Sequence, residues 1–273
     1  MKGQLIAIDG KKHGEIELPP AFDTPYRPEV IHKVYVNVTS HSFQRQGRYP
    51  AAGEMVSAES RNTGLGIARL ARARGEGFTR AGQAASVAGV RHGRVAHPPE
   101  SWKITYKKIN KRENRLGLCS AIAATANREL VVSRGHKIAD TVNFPIITTN
   151  EVESIAKTKD LKKFLVTIGL ESDLERTVSN RKSRSGTGRR RGRPARMGVG
   201  ALIIVGKDSK IISLTKSLPG VEIKSFDEIS VVDLAPGSKP IRLTIFSQNS
   251  INAMKDLKVT AHKVLEAIKG VTS

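Results

Sequence analysis

The sequence predicts an α/β body built on a largely parallel sheet, with one long segment leaving it. Three observations carry that prediction. Short apolar runs of strand length, Ala201–Val205 (ALIIV) the clearest, are separated by stretches with helical periodicity. The 273 residues have room for one large domain or two small ones, and no internal repeat or heptad pattern is visible. Between His41 and Pro98 periodicity of either kind disappears for 58 residues. A structureless connection in a compact domain seldom exceeds ~12 to 15 residues unless it is functional or disordered.

Taken in order, Gln4–Ile8 and Glu15–Leu18 read as short strands of a hairpin around Asp9–Gly14. Pro28 suits the first position of a helix that carries Val30, Ile31, Val34, Tyr35 and Val38 on one side. The aperiodic stretch follows, with nine Gly, eleven Ala and few large apolar groups. Order returns at Trp102, and Asn110 reads as the cap of a helix over Lys111–Thr125 with a small-residue face at Ala121–Ala126. Phe144–Thr148 reads as a strand, Val152–Ile168 as helix in two pieces and Asp173–Asn180 as a further helix. Beyond Ala201–Val205 come a helix near Ile211–Ser217, strands at Val221–Lys224 and Leu243–Phe246, and a C-terminal helix over Asn252–Ile268. The organisation is one globular domain over 1–273, an insertion at 41–98 and a shorter basic loop at 176–198.

The net charge is +21, from 46 Lys and Arg against 25 Asp and Glu. A compact body with that excess repels itself, so a polyanionic partner is expected, nucleic acid ahead of membrane or acidic protein. The charge is segregated by chemistry. The insertion holds nine Arg, no Lys and three acids (Glu54, Glu59, Glu76), a net +6. Arg176–Gly198 holds eight Arg, one Lys and no acid, a net +9. These two stretches contain 17 of the 23 Arg but one of the 23 Lys, so positive charge was not the whole requirement. A guanidinium adds a planar fork that grips phosphate oxygens bidentately, a face that stacks on bases, and a smaller loss of hydration on enclosure.

The candidate anchors in the insertion are Arg45, Arg48, Arg61, Arg69, Arg72, Arg74, Arg80, Arg91 and Arg94, with His92 and His97 placed to hydrogen-bond phosphate or ribose. A second group is Arg181, Arg184, Arg189, Arg190, Arg191, Arg193 and Arg196. Lys107, Lys108, Lys111, Arg112 and Arg115 form a third basic surface at the start of a helix. Recognition is expected through phosphate and ribose, with specificity from the shape of folded RNA. Aromatics make up 4% of the chain, too few for a sheet of stacking rings to be the obvious device.

Other classes find little support. No apolar run approaches the ~18 to 20 residues of a membrane span, and Met1–Ile8 is too short for a secretion signal, so a soluble intracellular protein without a membrane partner is expected. One cysteine, Cys119, excludes an intramolecular disulfide and a multi-cysteine zinc site, and packing is its expected role. Gly206-Lys207-Asp208 lacks the leading glycine and the hydroxyl of a phosphate loop, and Gly64-Leu65-Gly66 lacks a third glycine and a preceding strand. The seven His show no metal spacing. No enzyme, cofactor or metal is expected. The competing readings are a DNA-compacting or RNA-regulatory protein, which would bind duplex DNA indiscriminately, and an α/β nucleotide-binding enzyme, which would bind nucleotide saturably.

Ser57-Ala58-Glu59-Ser60, Gly64-Leu65-Gly66-Ile67-Ala68-Arg69 and Gly93-Arg94-Val95-Ala96-His97-Pro98-Pro99 closely resemble the internal loop of the universal large-subunit ribosomal protein four family, in its archaeal and eukaryotic form. The resemblance continues through Lys108–Glu113, Ser120–Thr125, Leu218–Val221 and Leu234–Gly237, nearly the whole chain in family order. It departs from the family at Arg61, where an aromatic is frequent, and at Leu65, where Arg is frequent. The resemblance implies a three-layer α/β/α domain on the large subunit and an extended loop threaded into large-subunit ribosomal RNA. It also implies early assembly, a cytoplasmic location in the ribosome, and neighbouring large-subunit proteins as partners. In that picture the loop's tip, with Gly64, Gly66, Arg69, Arg72 and Arg74, lines the peptide exit tunnel. There it faces protein twenty-two and the nascent peptide. Gly and Ala would give the backbone clearance through gaps in RNA, and free in solution the loop is expected to be disordered.

Overall fold

The computed structural model describes residues 2–239 and 241–255. It separates into two compact units, one whose described residues run to Thr39 and resume at Lys107, and one formed by Ser40–Tyr106.

The first unit is organised on a six-stranded sheet. Its strands are β1 (Lys2–Ile6), β2 (Lys12–Glu17), β5 (Ile146–Thr148), β8 (Leu202–Val205), β9 (Glu222–Ser225) and β10 (Thr244–Ser247), in the order β2-β1-β5-β10-β8-β9. β2 is antiparallel to β1, and every other pairing is parallel. The register explains why the central strands read as continuous apolar runs. Leu5, Ile147, Phe246 and Ile204 form one row across the sheet, and Ile146, Ile245, Ile203 and Ile223 form the next. Successive residues point to opposite faces, so the first row enters one core and the second row the other.

Helices cover both faces, giving the α/β/α layering. On the Phe246 face lie α1 (Pro28–Ser40), α2 (Lys111–Ala124), α7 (Val231–Leu234) and α8 (Gln248–Lys255), contributing Ile31, Val34, Ile122, Leu234 and Ile251. On the Ile245 face lie α3 (Arg128–Ser133) and α4 (Thr158–Thr167), contributing Val131, Leu161, Phe164 and Leu165. α5 (Glu171–Ser179) follows α4. Gly117 lets α2 approach α1, since a Cβ there would stand 2.7 Å from Val34 Cγ2. Buried Cys119 packs in the same helix, where burial pushes its thiol pKa up.

Several expected boundaries move. β5 starts after Pro145 rather than at Phe144, the helix near Ile211 is a 3-10 turn over Lys210–Leu214, and the first piece of Val152–Ile168 is 3-10 as well, over Asn150–Ser154. Asn110 holds the N-cap position of α2 but its side chain makes no capping bond, whereas Asn127 caps α3 by accepting from the Glu129 N–H at 2.9 Å. Trp102 belongs to the insertion, and regular structure resumes at Lys111. Of the helix expected over Asn252–Ile268, residues beyond Lys255 lie outside the described residues.

The carboxyl ends of β5, β8 and β10 are the place where open α/β sheets hold their ligands. Here a carboxylate of the chain sits there. Glu153 accepts from the Gly206 N–H at 2.9 Å, the Ser247 hydroxyl at 2.6 Å, Ser209 at 3.1 Å and Asn249 at 2.9 Å. The Gly206 amide that a phosphate loop would offer to a nucleotide is thus bonded to Glu153. Burial raises the Glu153 pKa, but the bonds from Ser247, Gly206, Asn249 and Ser209 outweigh it and hold the carboxyl below its ordinary value. A lowered folded pKa contributes stability that is present above the ordinary glutamate range and is lost as pH falls through the folded value. Glu153→Gln is therefore expected to lower stability by about 2 to 3 kcal/mol at neutral pH. In thermal unfolding across about pH 7 to 3 its deficit should shrink toward acid; a deficit constant with pH would refute the assignment.

Candidate nucleic-acid interface

The insertion runs out and back on itself. The Arg48 N–H donates to the Pro99 carbonyl at 3.2 Å, Gly53 abuts Gly93, and the Ser86 hydroxyl donates to the Val56 carbonyl at 3.0 Å. Further along, β3 (Ala58–Ser60) pairs antiparallel with β4 (Ala71–Ala73), whose other edge bonds to the Gln83–Ala85 segment. The aperiodic stretch is thus not wholly extended. Its strands, three residues long and built from Ala, Arg, Glu and Ser, are too short to leave an alternation that sequence reading detects. Residues 61–70 form the turn between β3 and β4 and are all exposed, with Gly64 and Gly66 at φ +91° and +64°. A side chain is disfavoured at such values, and glycine is not.

Arg61, Arg69, Arg45 and Arg91 are exposed, and their guanidinium groups make no hydrogen bond or ion pair with the described residues. Arg69 lies in the turn with Gly64 and Gly66. Arg72 and Arg74 are set apart from it: half-buried Arg72 donates to the Gly82 carbonyl at 3.0 Å, and Arg74 pairs with Glu59. Arg48 and Arg80 also donate to carbonyls, of Ala52 and Arg91, and Arg94 reaches Glu54 at 3.6 Å. A carbonyl fixes a guanidinium without neutralising it, so Arg48, Arg72 and Arg80 are oriented and keep their charge. His92 (φ +60°) and His97 are exposed.

The second basic stretch is an ordered hairpin rather than a loop. β6 (Lys182–Ser183) pairs with β7 (Ala195–Arg196), the Arg184 N–H donates to the Pro194 carbonyl at 2.8 Å, and one helical turn, α6 (Gly186–Arg190), forms its end. Arg189, Arg190, Arg191 and Arg193 cluster on that turn and just past it, with Arg181 and Arg196 exposed at the base and Arg184 half-buried. Arg176 is different in kind. It pairs with buried Asp173 at 2.9 Å and donates to the Val199 carbonyl at 2.8 Å, which ties the root of the hairpin to α5. Burial raises the Asp173 pKa, and the bonds from His136 and Arg176 more than reverse this, keeping it ionised. Lys107, Lys108, Lys111, Arg112 and Arg115 are exposed at the start of α2, where Lys33 on α1 pairs with Glu113 at 2.7 Å.

Composition concealed one feature. Phe43, Tyr49, Phe78, Trp102 and Tyr106, five of the chain's twelve aromatics, lie in the insertion and are each at least 40% exposed. Met55, Leu65, Ile67, Leu70, Val95 and Ile104 are exposed there too. Flat apolar groups beside unpaired guanidinium groups suit a partner that offers both bases and phosphates.

The model of the family described as ribosomal protein L4/L1 matches residues 16–257. The chain belongs to that family. It is 37% identical over 256 residues to the large ribosomal subunit protein uL4 of Saccharolobus solfataricus, covering 93% of this chain and 94% of the relative. It is 36% identical over 256 residues to that of Methanococcus vannielii, covering 94% and 99%. The protein of the same name from Sulfolobus acidocaldarius is 37% identical over 255 residues, 93% and 94% of the two chains. For a member of the L4/L1 family, the Arg-rich insertion and hairpin are therefore surfaces of a ribosomal protein, and the Glu153 knot at the strand ends is part of its scaffold.

Proposed function

We propose that this chain is a structural component of the large ribosomal subunit in the cytoplasm, and that it binds large-subunit ribosomal RNA through the insertion, the basic hairpin and the start of α2. The observation that carries this reading is the set of exposed, partner-free guanidinium groups on two local scaffolds that have few acids or none. The turn at 61–70 is the part of the insertion slim enough to reach the peptide exit tunnel, with Gly64 and Gly66 giving clearance and Arg69 facing the nascent peptide and protein twenty-two. Arg72 and Arg74, behind it, stiffen the hairpin and meet RNA. The chemistry is positioning and charge neutralisation. A protein of this kind joins early in assembly, before RNA closes around the insertion.

The insertion's buried apolar residues, among those described, are Ala73 and Ala85. Ordering a residue costs on the order of 1 to 2 kcal/mol, which two alanines do not offset over a segment of this length. Binding of the full chain to a large-subunit rRNA transcript is expected to weaken with salt at a log-log slope of roughly −6 to −7 if about eight Arg meet phosphates. Trypsin should cut within residues 45–95 of the free protein and spare them in the complex. Resistance of that segment without RNA, or equal affinity for duplex DNA, would overturn the reading.

A further inference from the structure

We infer that a pocket in the first unit, beside the amino ends of β8 and β10, is a seat for one phosphate group, gripped by Arg134, Arg176 and Lys239. The inference rests on the rRNA reading for the source of that phosphate, a phosphodiester of the RNA backbone.

The pocket has a volume of about 280 Å³ and is also lined by Ser133 and His136. Small-molecule sites run from ~300 to 1,000 Å³, so this one suits a phosphate with part of its ribose better than a whole nucleotide. Its cations come from three separate places. Arg134 follows α3 and is held by a bond from its Nη2 to the Pro236 carbonyl at 2.9 Å. Arg176 comes from α5, oriented by Asp173 and the Val199 carbonyl. Lys239 is exposed on the loop before β10. His136 is held in place from both ring nitrogens, with Nε2 3.2 Å from the Leu243 N–H and Nδ1 3.1 Å from Asp173 and 3.4 Å from Arg176.

These cations crowd one another. Burial, then the fields of Arg242 and Arg176, push the Arg134 pKa down from its ordinary value. Asp173 serves Arg176 and Glu222 serves Arg242, so neither faces the pocket as a counter-charge of its own. An incoming anion relieves that repulsion. Two rigid guanidinium forks and an ammonium are the donor set that surrounds a tetrahedral oxyanion. A polyanion is favoured over a lone acidic side chain because the pocket lies at the root of the acid-free hairpin. Arg176 closes both, so one strand can occupy the two surfaces together.

The test uses the full-length protein with two probes, inorganic phosphate and a large-subunit rRNA transcript. The variants are Lys239→Gln, Arg134→Gln, and Lys159→Gln as an exposed-lysine control on α4. Arg134→Gln removes a bond to Pro236 and can lower stability by itself; Lys239→Gln, at an exposed position, keeps the test decisive. For Lys239→Gln the salt slope with rRNA is expected to shrink in magnitude by about 1, with several-fold weaker binding, while Lys159→Gln matches the wild type. Phosphate at matched ionic strength should raise the wild-type melting temperature above its value in chloride, and Lys239→Gln should lose that rise. Loss of the rise with an unchanged slope keeps the phosphate seat and assigns it to free phosphate instead of RNA. No phosphate-specific rise together with identical slopes for Lys239→Gln and Lys159→Gln overturns the site. Failure of the wild type to bind rRNA would strike the proposed function, and the phosphate arm would still decide the pocket.

Discussion

Arg242→Met is expected to lower stability by about 3 to 5 kcal/mol, as breaking a buried charged network does. Arg242 is 2% exposed, among the largest buried side chains. Its Nε donates to the Gly200 carbonyl at 2.6 Å, Nη2 to those of Gly220 at 3.0 Å and Ala201 at 3.3 Å, and Nη1 pairs with Glu222 at 2.5 Å. One guanidinium thereby staples the segments entering β8 and β9 to the segment entering β10. Methionine fills similar space and donates nothing, so the Gly200 carbonyl loses its donor, the Gly220 and Ala201 carbonyls keep only the Gly200 and Glu222 amides, and Glu222 loses its partner. The substitution could be neutral if a buried ion pair were all that was lost, because desolvation cancels much of its attraction. The Gly200 carbonyl decides otherwise, since an unsatisfied buried polar group costs about 1 to 3 kcal/mol, and the two further bonds to Gly220 and Ala201 are lost with it. For a domain of this size the melting temperature should fall by roughly 6 to 20 °C, measurable by calorimetry. Arg242→Lys should recover part of the loss, because one ammonium cannot span the four acceptors. A methionine variant melting within about 2 °C of the wild type would reject the staple.

Nothing in the sequence marks Arg242. It is one Arg ahead of an apolar run, and its importance arises because three strand entries converge on it in space. The same holds for Glu153, whose donors lie more than fifty residues downstream, and for Arg134, Arg176 and Lys239, which meet only when α3, α5 and the loop before β10 are packed. The central strands β5, β8 and β10 were legible because they are buried on both faces and read as continuous apolar runs. α1 was legible from Pro28 and its apolar side, and α2 from its small-residue face. Strands of two or three residues in the insertion and the basic hairpin were not, because alternation over that length does not rise above chance. Asn110 and Asn127 make the same point at the scale of one residue. The asparagine type predicts a cap in both, and the backbone path decides which side chain makes the bond. The arginines proposed to meet RNA were legible because they contact little else in the protein and so stay visible as composition.

Replacing Arg189, Arg190, Arg191 and Arg193 together by glutamine is expected to reduce rRNA affinity by about 10² to 10³ at about 0.15 M salt, and the magnitude of the log-log slope by about 3 to 4. The slope follows from four phosphates no longer neutralised, each releasing about 0.9 of a counterion, and the affinity from extending that slope down from about 1 M salt, where the release term vanishes. All four side chains are exposed, and the hairpin is closed by backbone bonds such as Arg184 N–H to Pro194 and Arg193 N–H to Gly188. The scaffold therefore survives the change. With no acid between Arg176 and Gly198, removing four like charges also relieves repulsion, so the melting temperature of the RNA-free variant should equal or exceed that of the wild type. The matching four-lysine variant separates charge from geometry. It should keep the wild-type slope, because the charge is retained, and still bind more weakly, because an ammonium cannot grip two phosphate oxygens or stack on a base. A glutamine variant with an unchanged slope would remove the hairpin from the RNA surface. A lysine variant as tight as the wild type would show that point charge suffices, leaving the segregation of Arg from Lys without a physical cause at this site.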